Sequence, residues 1–148
     1  MLKPSGMPDQ AYEILRLAVA YLLAMPVGWH REKEAHSVGV RTFPLVAMAS
    51  CGYVLLASSS DLAAQSRIIQ GLVAGIGFIG GGAILKSEGN VHGTATAASI
   101  WTTGVLGAAV AQERYIVAVT IAAINLFTLR VLLPWKQKMD AAKADKTQ

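Results

Sequence analysis

Charge is scarce in this sequence. Asp, Glu, Lys and Arg make up 15% of its 148 residues, against about 25% in soluble globular domains, and the mean hydropathy is +0.45. That balance excludes a soluble domain of this length and implies one integral-membrane domain. Cysteine is limited to Cys51, so no intrachain disulfide can form, and its place within an apolar run marks a packed residue and not a reactive thiol. No cleavable leader is expected, because Met1 to Gln10 carries Lys3, Asp9 and two prolines and the first apolar segment is followed by others. Catalytic signatures are missing too: there is no nucleophile set beside a base, no metal motif and no carboxylate pair, so an enzyme is not expected. The net charge of +4 does not indicate nucleic acid. The basic residues stand at the ends of apolar segments, where they set topology and do not form a phosphate-binding patch.

What the sequence does have is an unbroken apolar stretch loaded with glycine. From Ile68 to Leu85 there is no charge, and Gln70 is the one strongly polar side chain. Eighteen helical residues rise about 27 Å, close to the roughly 30 Å of a bilayer's hydrocarbon. Gly75-Ile76-Gly77-Phe78-Ile79-Gly80 also matches the dinucleotide pattern G-x-G-x-x-G, but that fingerprint needs a preceding strand, a following amphipathic helix and a downstream acid, none of which is present. Lys86-Ser87 resembles the end of a phosphate-binding loop, yet Leu85 stands where glycine is required. Close helix packing explains the glycines better, since helices in lipid associate through small residues that let backbones approach. Gly71/Gly75 and Gly77/Gly81 each fit small-xxx-small, so this segment is expected to be the central helix of a bundle.

At these residues the chain resembles the MgtC/SapB/SrpB family of bacterial inner-membrane proteins. The resemblance rests on Arg67-Ile68, Gly75-Ile76-Gly77-Phe78-Ile79-Gly80-Gly81-Gly82, Val91-His92-Gly93, Thr96-Ala97-Ala98 and Trp101. Upstream, Gly28-Trp29-His30-Arg31-Glu32 is similar to the family's G-L-E-R-E and Gly39-Val40-Arg41-Thr42 to its G-x-R-T, so the match runs from about residue 12 to 133. Three departures are visible. His30 replaces the usual Glu, Ala95 replaces a polar Thr or Asn, and the chain ends at 148 without the soluble C-terminal domain of longer members.

Taken in order, residues 1–11 read as an extramembrane lead, 12–135 as a bundle of five transmembrane helices and 136–148 as a basic, disordered cytosolic tail. The spans are Tyr12 to Trp29, kinked or ended near Pro26; Phe43 to Ser58, with Pro44 in its first turn; the glycine helix; Thr94 to Gln112; and Tyr115 to Leu133. Glu13 and Arg16 are three apart and able to pair. Asp61 is a plausible N-cap for the third span. Trp101 lies about 10 Å into the fourth span by helical rise, too deep for an interfacial anchor, and is expected to point into the bundle. Arg31, Lys33, Arg41, Lys86, Arg130 and the tail lysines fall on one side, against Lys3, Arg16, Arg67 and Arg114 on the other. The positive-inside rule then sets the N-terminus outside and the C-terminus inside.

That topology gathers the polar loops 30–42 and 86–93 at the cytosolic face, and Arg31, Glu32, Arg41 and His92 form the candidate functional cluster. His30, Glu32, Glu34 and His36 could supply oxygen and nitrogen ligands, but at no standard metal spacing, so no metal or other cofactor is expected and Mg²⁺ has weak support. Gln70 and Asn125 are the intramembrane polar residues, and Gly71, Gly75, Gly77, Gly81 and Trp101 the expected packing residues. The resemblance implies a regulatory or interaction protein linked to low magnesium and survival in host cells. Implied partners are the bilayer itself, other inner-membrane complexes such as the ATP synthase, and further copies of the chain. The alternative is a transporter or channel for Mg²⁺ or another small ion, for which deep carboxylates would be expected and none is found.

Overall fold

The computed structural model describes residues 6–35, 39–57, 62–87 and 90–132. These form five α-helices and one small hairpin: α1 (Asp9–Ala35), α2 (Thr42–Leu56), α3 (Leu62–Gly82), β1 (Leu85–Ser87), β2 (Asn90–His92), α4 (Thr94–Ala111) and α5 (Tyr115–Phe127). A π-helical turn, Thr128–Leu132, continues α5. Four of the helical segments are long and apolar enough to cross a membrane, and α2 is a shorter apolar helix. The protein is an all-α membrane protein, as its composition requires. The expected lead's first residues, the Asp61 cap and the basic tail lie outside the described residues.

α1 runs through Pro26 without ending. The ring sits on an exposed face, where it costs one backbone bond but meets no neighbouring helix, a loss that helices in lipid tolerate. Two residues further on, Gly28 is buried against the Gly39 carbonyl and Val40, which lets the chain fold back tightly into α2. Phe43 and Pro44 are buried in the first turn of α2.

The centre of the bundle is α4 and not the glycine helix. α1, α2, α3 and α5 all pack on α4, of which 56% is buried, against 6% of α3. The reason lies in where close approach is used. A Cβ on Gly107 would collide with the carbonyl of Ala47 on α2, and one on Gly104 with Ile76 on α3. Small residues therefore do bring helices together here, but those of α4 do it. On α3 only Gly80 has a neighbour, the carbonyl of Ala97, whereas Cβ atoms at Gly71, Gly75, Gly77, Gly81 and Gly82 would meet nothing within 4 Å among the described residues. The packing expected of Gly71, Gly75, Gly77 and Gly81 is thus not made among the described residues. Gly75 to Gly80 also lie inside one continuous helix, which rules out a dinucleotide-binding turn.

Two cores result. One joins Ala20, Ala24, Ala47, Cys51, Val54, Leu106 and Val110 across α1, α2 and α4. The other joins Val27, Phe43, Val46, Ile76, Ile100 and Leu129 nearer the end where α1 finishes. Trp101 belongs to neither. It is 47% exposed, because it shares with Ala98 and Val105 a face of α4 that no helix among the described residues covers.

Candidate functional site

Polar groups inside an apolar bundle are costly unless bonded, so their partners define the site. Thr96, Ser99 and Thr103 recur at three- and four-residue spacing on α4 and are all buried. At the end of α4 nearest the hairpin, the guanidinium of Arg31 is buried and its Nη2 donates to Thr96 Oγ1. One turn deeper, Ser99 Oγ donates to Asn125 Oδ1 at 2.8 Å, and Asn125 Nδ2 donates to Thr102 Oγ1 at 2.8 Å and to the Ser99 carbonyl at 3.4 Å. Thr103 Oγ1 adds a 2.8 Å bond to the same carbonyl. Asn125 stands ten residues into α5, about 15 Å along it. Two separate polar groups thus line α4: a buried cation bonded to Thr96 and, about one turn deeper, a neutral hydroxyl and amide cluster around Ser99 and Asn125.

The backbone near the Arg31–Thr96 pair is fixed by glycines. Gly93 precedes α4 at φ +85°, a left-handed conformation that suits glycine, and a Cβ there would strike the Ala83 carbonyl. Gly39 leaves no room for a Cβ beside Glu32, whose Oε2 accepts the Val40 N–H at 3.0 Å. Glu32 therefore ties the end of α1 to the start of α2, while Arg31 ties it to α4. Arg41 and His92 are exposed and join neither interaction. Of the four residues expected to form one cluster, Arg31 and Glu32 are built into the fold through different partners, and Arg41 and His92 stand apart. The loop 86–93, expected as a simple turn, is an antiparallel hairpin pairing Lys86 with Val91.

A second polar group closes the opposite end. Arg16, able to pair with Glu13 by spacing, instead reaches the α4–α5 turn, where Nη1 donates to the Ala111 carbonyl at 2.9 Å and lies 3.7 Å from Glu113 Oε1. Its guanidinium also covers the ring of Tyr12, whose hydroxyl is 3.1 Å from that of Tyr115. Among the described residues no three His, Cys, Asp or Glu side chains meet as a metal-binding group. His36 and the side chain of Glu34, part of the ligand set considered from sequence, lie outside them. Asn125 is buried, as an intramembrane polar residue should be, whereas Gln70 is exposed on α3.

The sequence profile of the MgtC family matches residues 17–138, nearly the whole helical region. The chain belongs to the MgtC family. Among its relatives, protein SrpB of Synechococcus elongatus is 39% identical over 110 residues, covering 64% of this chain and 60% of SrpB. Protein MgtC of Brucella abortus is 37% identical over 115 residues, 74% of this chain and 48% of that protein. YhiD of Escherichia coli, named as a candidate magnesium transporter, is 30% identical over 127 residues, 80% of this chain and 59% of YhiD. The chain thus spans about half to three-fifths of these relatives. No solved structure matches it.

Sequence reasoning missed Ser99 and Thr102 as partners of Asn125, and Thr103 as a donor to the same Ser99 carbonyl. Their signal was present, since hydroxyls recur at helical spacing on a segment otherwise made of Ala, Gly, Val, Leu and Ile. The pairing with Asn125 needs the packing of α4 on α5, which no local pattern states.

Proposed function

We propose that this MgtC-family protein is a multi-pass protein of the bacterial inner membrane, with five spans, N-terminus outside and C-terminus inside, that acts by binding other membrane proteins. On this reading it is a regulator linked to magnesium limitation and membrane energetics, with the ATP synthase among its candidate partners. The observation that carries the reading is the outer face of α3. Gln70, Ala74, Gly77 and Gly81 fall on one side of the helix by its 3.6-residue period, and all are exposed. Gln70 lies about 12 Å along α3 from Leu62, deep for an amide facing lipid. Among the described residues its amide donates a long 3.4 Å bond to Ser66. A polar amide set in a small-residue stripe is the pattern by which transmembrane helices join. Copurification from native membranes tests it: partners retained by the wild type should be lost with Gln70→Leu or Gly77→Leu at unchanged protein yield. Retention by both variants would refute the reading.

Ion transport is the second reading, favoured by the name of YhiD and by the buried Ser99–Asn125 cluster. Against it, the carboxylates of the described residues sit near the ends of α1 or in the α4–α5 turn. The deep hydroxyl and amide groups already bond to one another, and Mg²⁺ needs several free oxygen ligands. Mg²⁺ flux into liposomes holding this protein alone would decide for transport.

A further inference from the structure

α3 packs more closely on α4 than on α2. Ile76 packs over Gly104 and Gly80 against the Ala97 carbonyl. Between α3 and α2 lies a groove of about 830 Å³. Val46, Ser50 and Ile76 form its buried floor, and Leu45, Tyr53 and Ile79 are among its walls. Gly71 and Gly75 line it with bare backbone, with nothing within 4 Å of where a Cβ would lie. The floor offers little polarity, since Ser50 Oγ donates to the Val46 carbonyl at 2.7 Å. Arg41 and Arg67 mark its two ends. Arg41 stands at the start of α2 and Arg67 near the start of α3. Twelve residues separate Arg67 from Ile79, about 18 Å of helix.

An apolar groove open to a bilayer must be filled by acyl chains or by another helix. The ends of the groove separate the two: each presents an arginine, which suits a phosphate headgroup lying above acyl chains. Charge then specifies the headgroup. Both ends carry an exposed guanidinium, no carboxylate lines the groove among the described residues, and arginine holds phosphate oxygens in a two-pronged grip. Long arginine side chains also extend outward along apolar surface to reach the headgroup layers.

We propose that the α2–α3 groove is a binding site for anionic phospholipid, with acyl chains in the trough and phosphates from the two leaflets held by Arg41 and Arg67. The site is on a different face of α3 from Gln70 and does not depend on the docking reading above.

Native mass spectrometry of the full chain in detergent, given equimolar phosphatidylglycerol and phosphatidylcholine, tests it. The wild type should retain phosphatidylglycerol several-fold over phosphatidylcholine, up to two molecules per chain. Arg41→Gln with Arg67→Gln should remove the preference between the lipids. Gly75→Leu, which fills the trough, should remove retention of both, while Gly77→Leu on the far face should behave as wild type. Ala49→Leu fills the same trough from α2 and replaces Gly75→Leu should that variant lose its melting transition. Equal retention of the two lipids by the wild type, an unchanged preference in the double glutamine variant, or full retention in the filled variants would each overturn the site. So would efficient disulfide dimerisation of Ala49→Cys in membranes, which would make a second copy the occupant.

Discussion

Gly107 on α4 rests against the backbone carbonyl of Ala47 on α2, with no room for a Cβ between them. Gly75 on α3 faces open space among the described residues. Two glycines in small-residue patterns thus carry opposite expectations. Gly107→Leu should abolish stable folding, and even Gly107→Ala should cost about 1–3 kcal/mol, the usual cost of overpacking. Gly75→Leu should leave the melting temperature in detergent within a few degrees of wild type. Equal sensitivity of positions 75 and 107 in thermal unfolding would show that α3 is packed elsewhere.

The contrast also explains what could be read from the sequence. Five apolar segments, the short α2 with Pro44 in its first turn, and the burial of Asn125 were legible, because hydropathy and helix chemistry are local. The centre of the bundle was not. Gly71/Gly75 and Gly77/Gly81 state that a backbone can be approached, not which backbone does so, and the approach could come from outside the chain. Trp101 was misplaced for a similar reason: depth along α4 excluded an interfacial position, but only the packing shows that its face is left uncovered. The candidate cluster of Arg31, Glu32, Arg41 and His92 was assembled from topology and motif position, which place loops at one face without fixing where side chains turn.

Ser99 and Asn125 should be energetically coupled. Single changes Ser99→Ala and Asn125→Ala each remove a partner from the other, and hydrogen bonds between helices in membranes contribute on average about 0.6 kcal/mol, up to about 1.7. A double-mutant cycle on unfolding free energy should return a coupling in that range, because the Ser99 hydroxyl bonds directly to the Asn125 side chain. Additive single effects would mean that the bond is not formed in the folded protein.

Orientation can be tested without a purified protein. Reporters fused after Lys138 should read cytosolic, and reporters fused after Asp61 should read as translocated, as expected for five spans and the distribution of Lys and Arg. The opposite pattern would reverse the topology, and two cytosolic readings would remove one span, α2 being the apolar helix that falls short of a full span.

Arg31 and Arg41 are both placed near the same end of the bundle, yet they should answer differently to substitution. Arg31 is 6% exposed and its Nη2 donates to Thr96 Oγ1, which ties α1 to α4. Arg41 is exposed at the mouth of the groove. Thr96→Val keeps the volume of the side chain but withdraws the acceptor from a buried cation, and hydrogen bonds to charged groups contribute about 1.5–3 kcal/mol. Arg31→Lys keeps the charge but replaces a planar fork of donors with a single ammonium that cannot reproduce its geometry. Both variants should lower the melting temperature clearly. The double variant should fall little further than the worse single one, since the two residues share one interaction. Arg41→Lys should unfold like wild type and insert in the same orientation. Matching losses of stability for Arg31→Lys and Arg41→Lys would place both arginines in one structural network, and no loss for either would leave them as topology anchors alone.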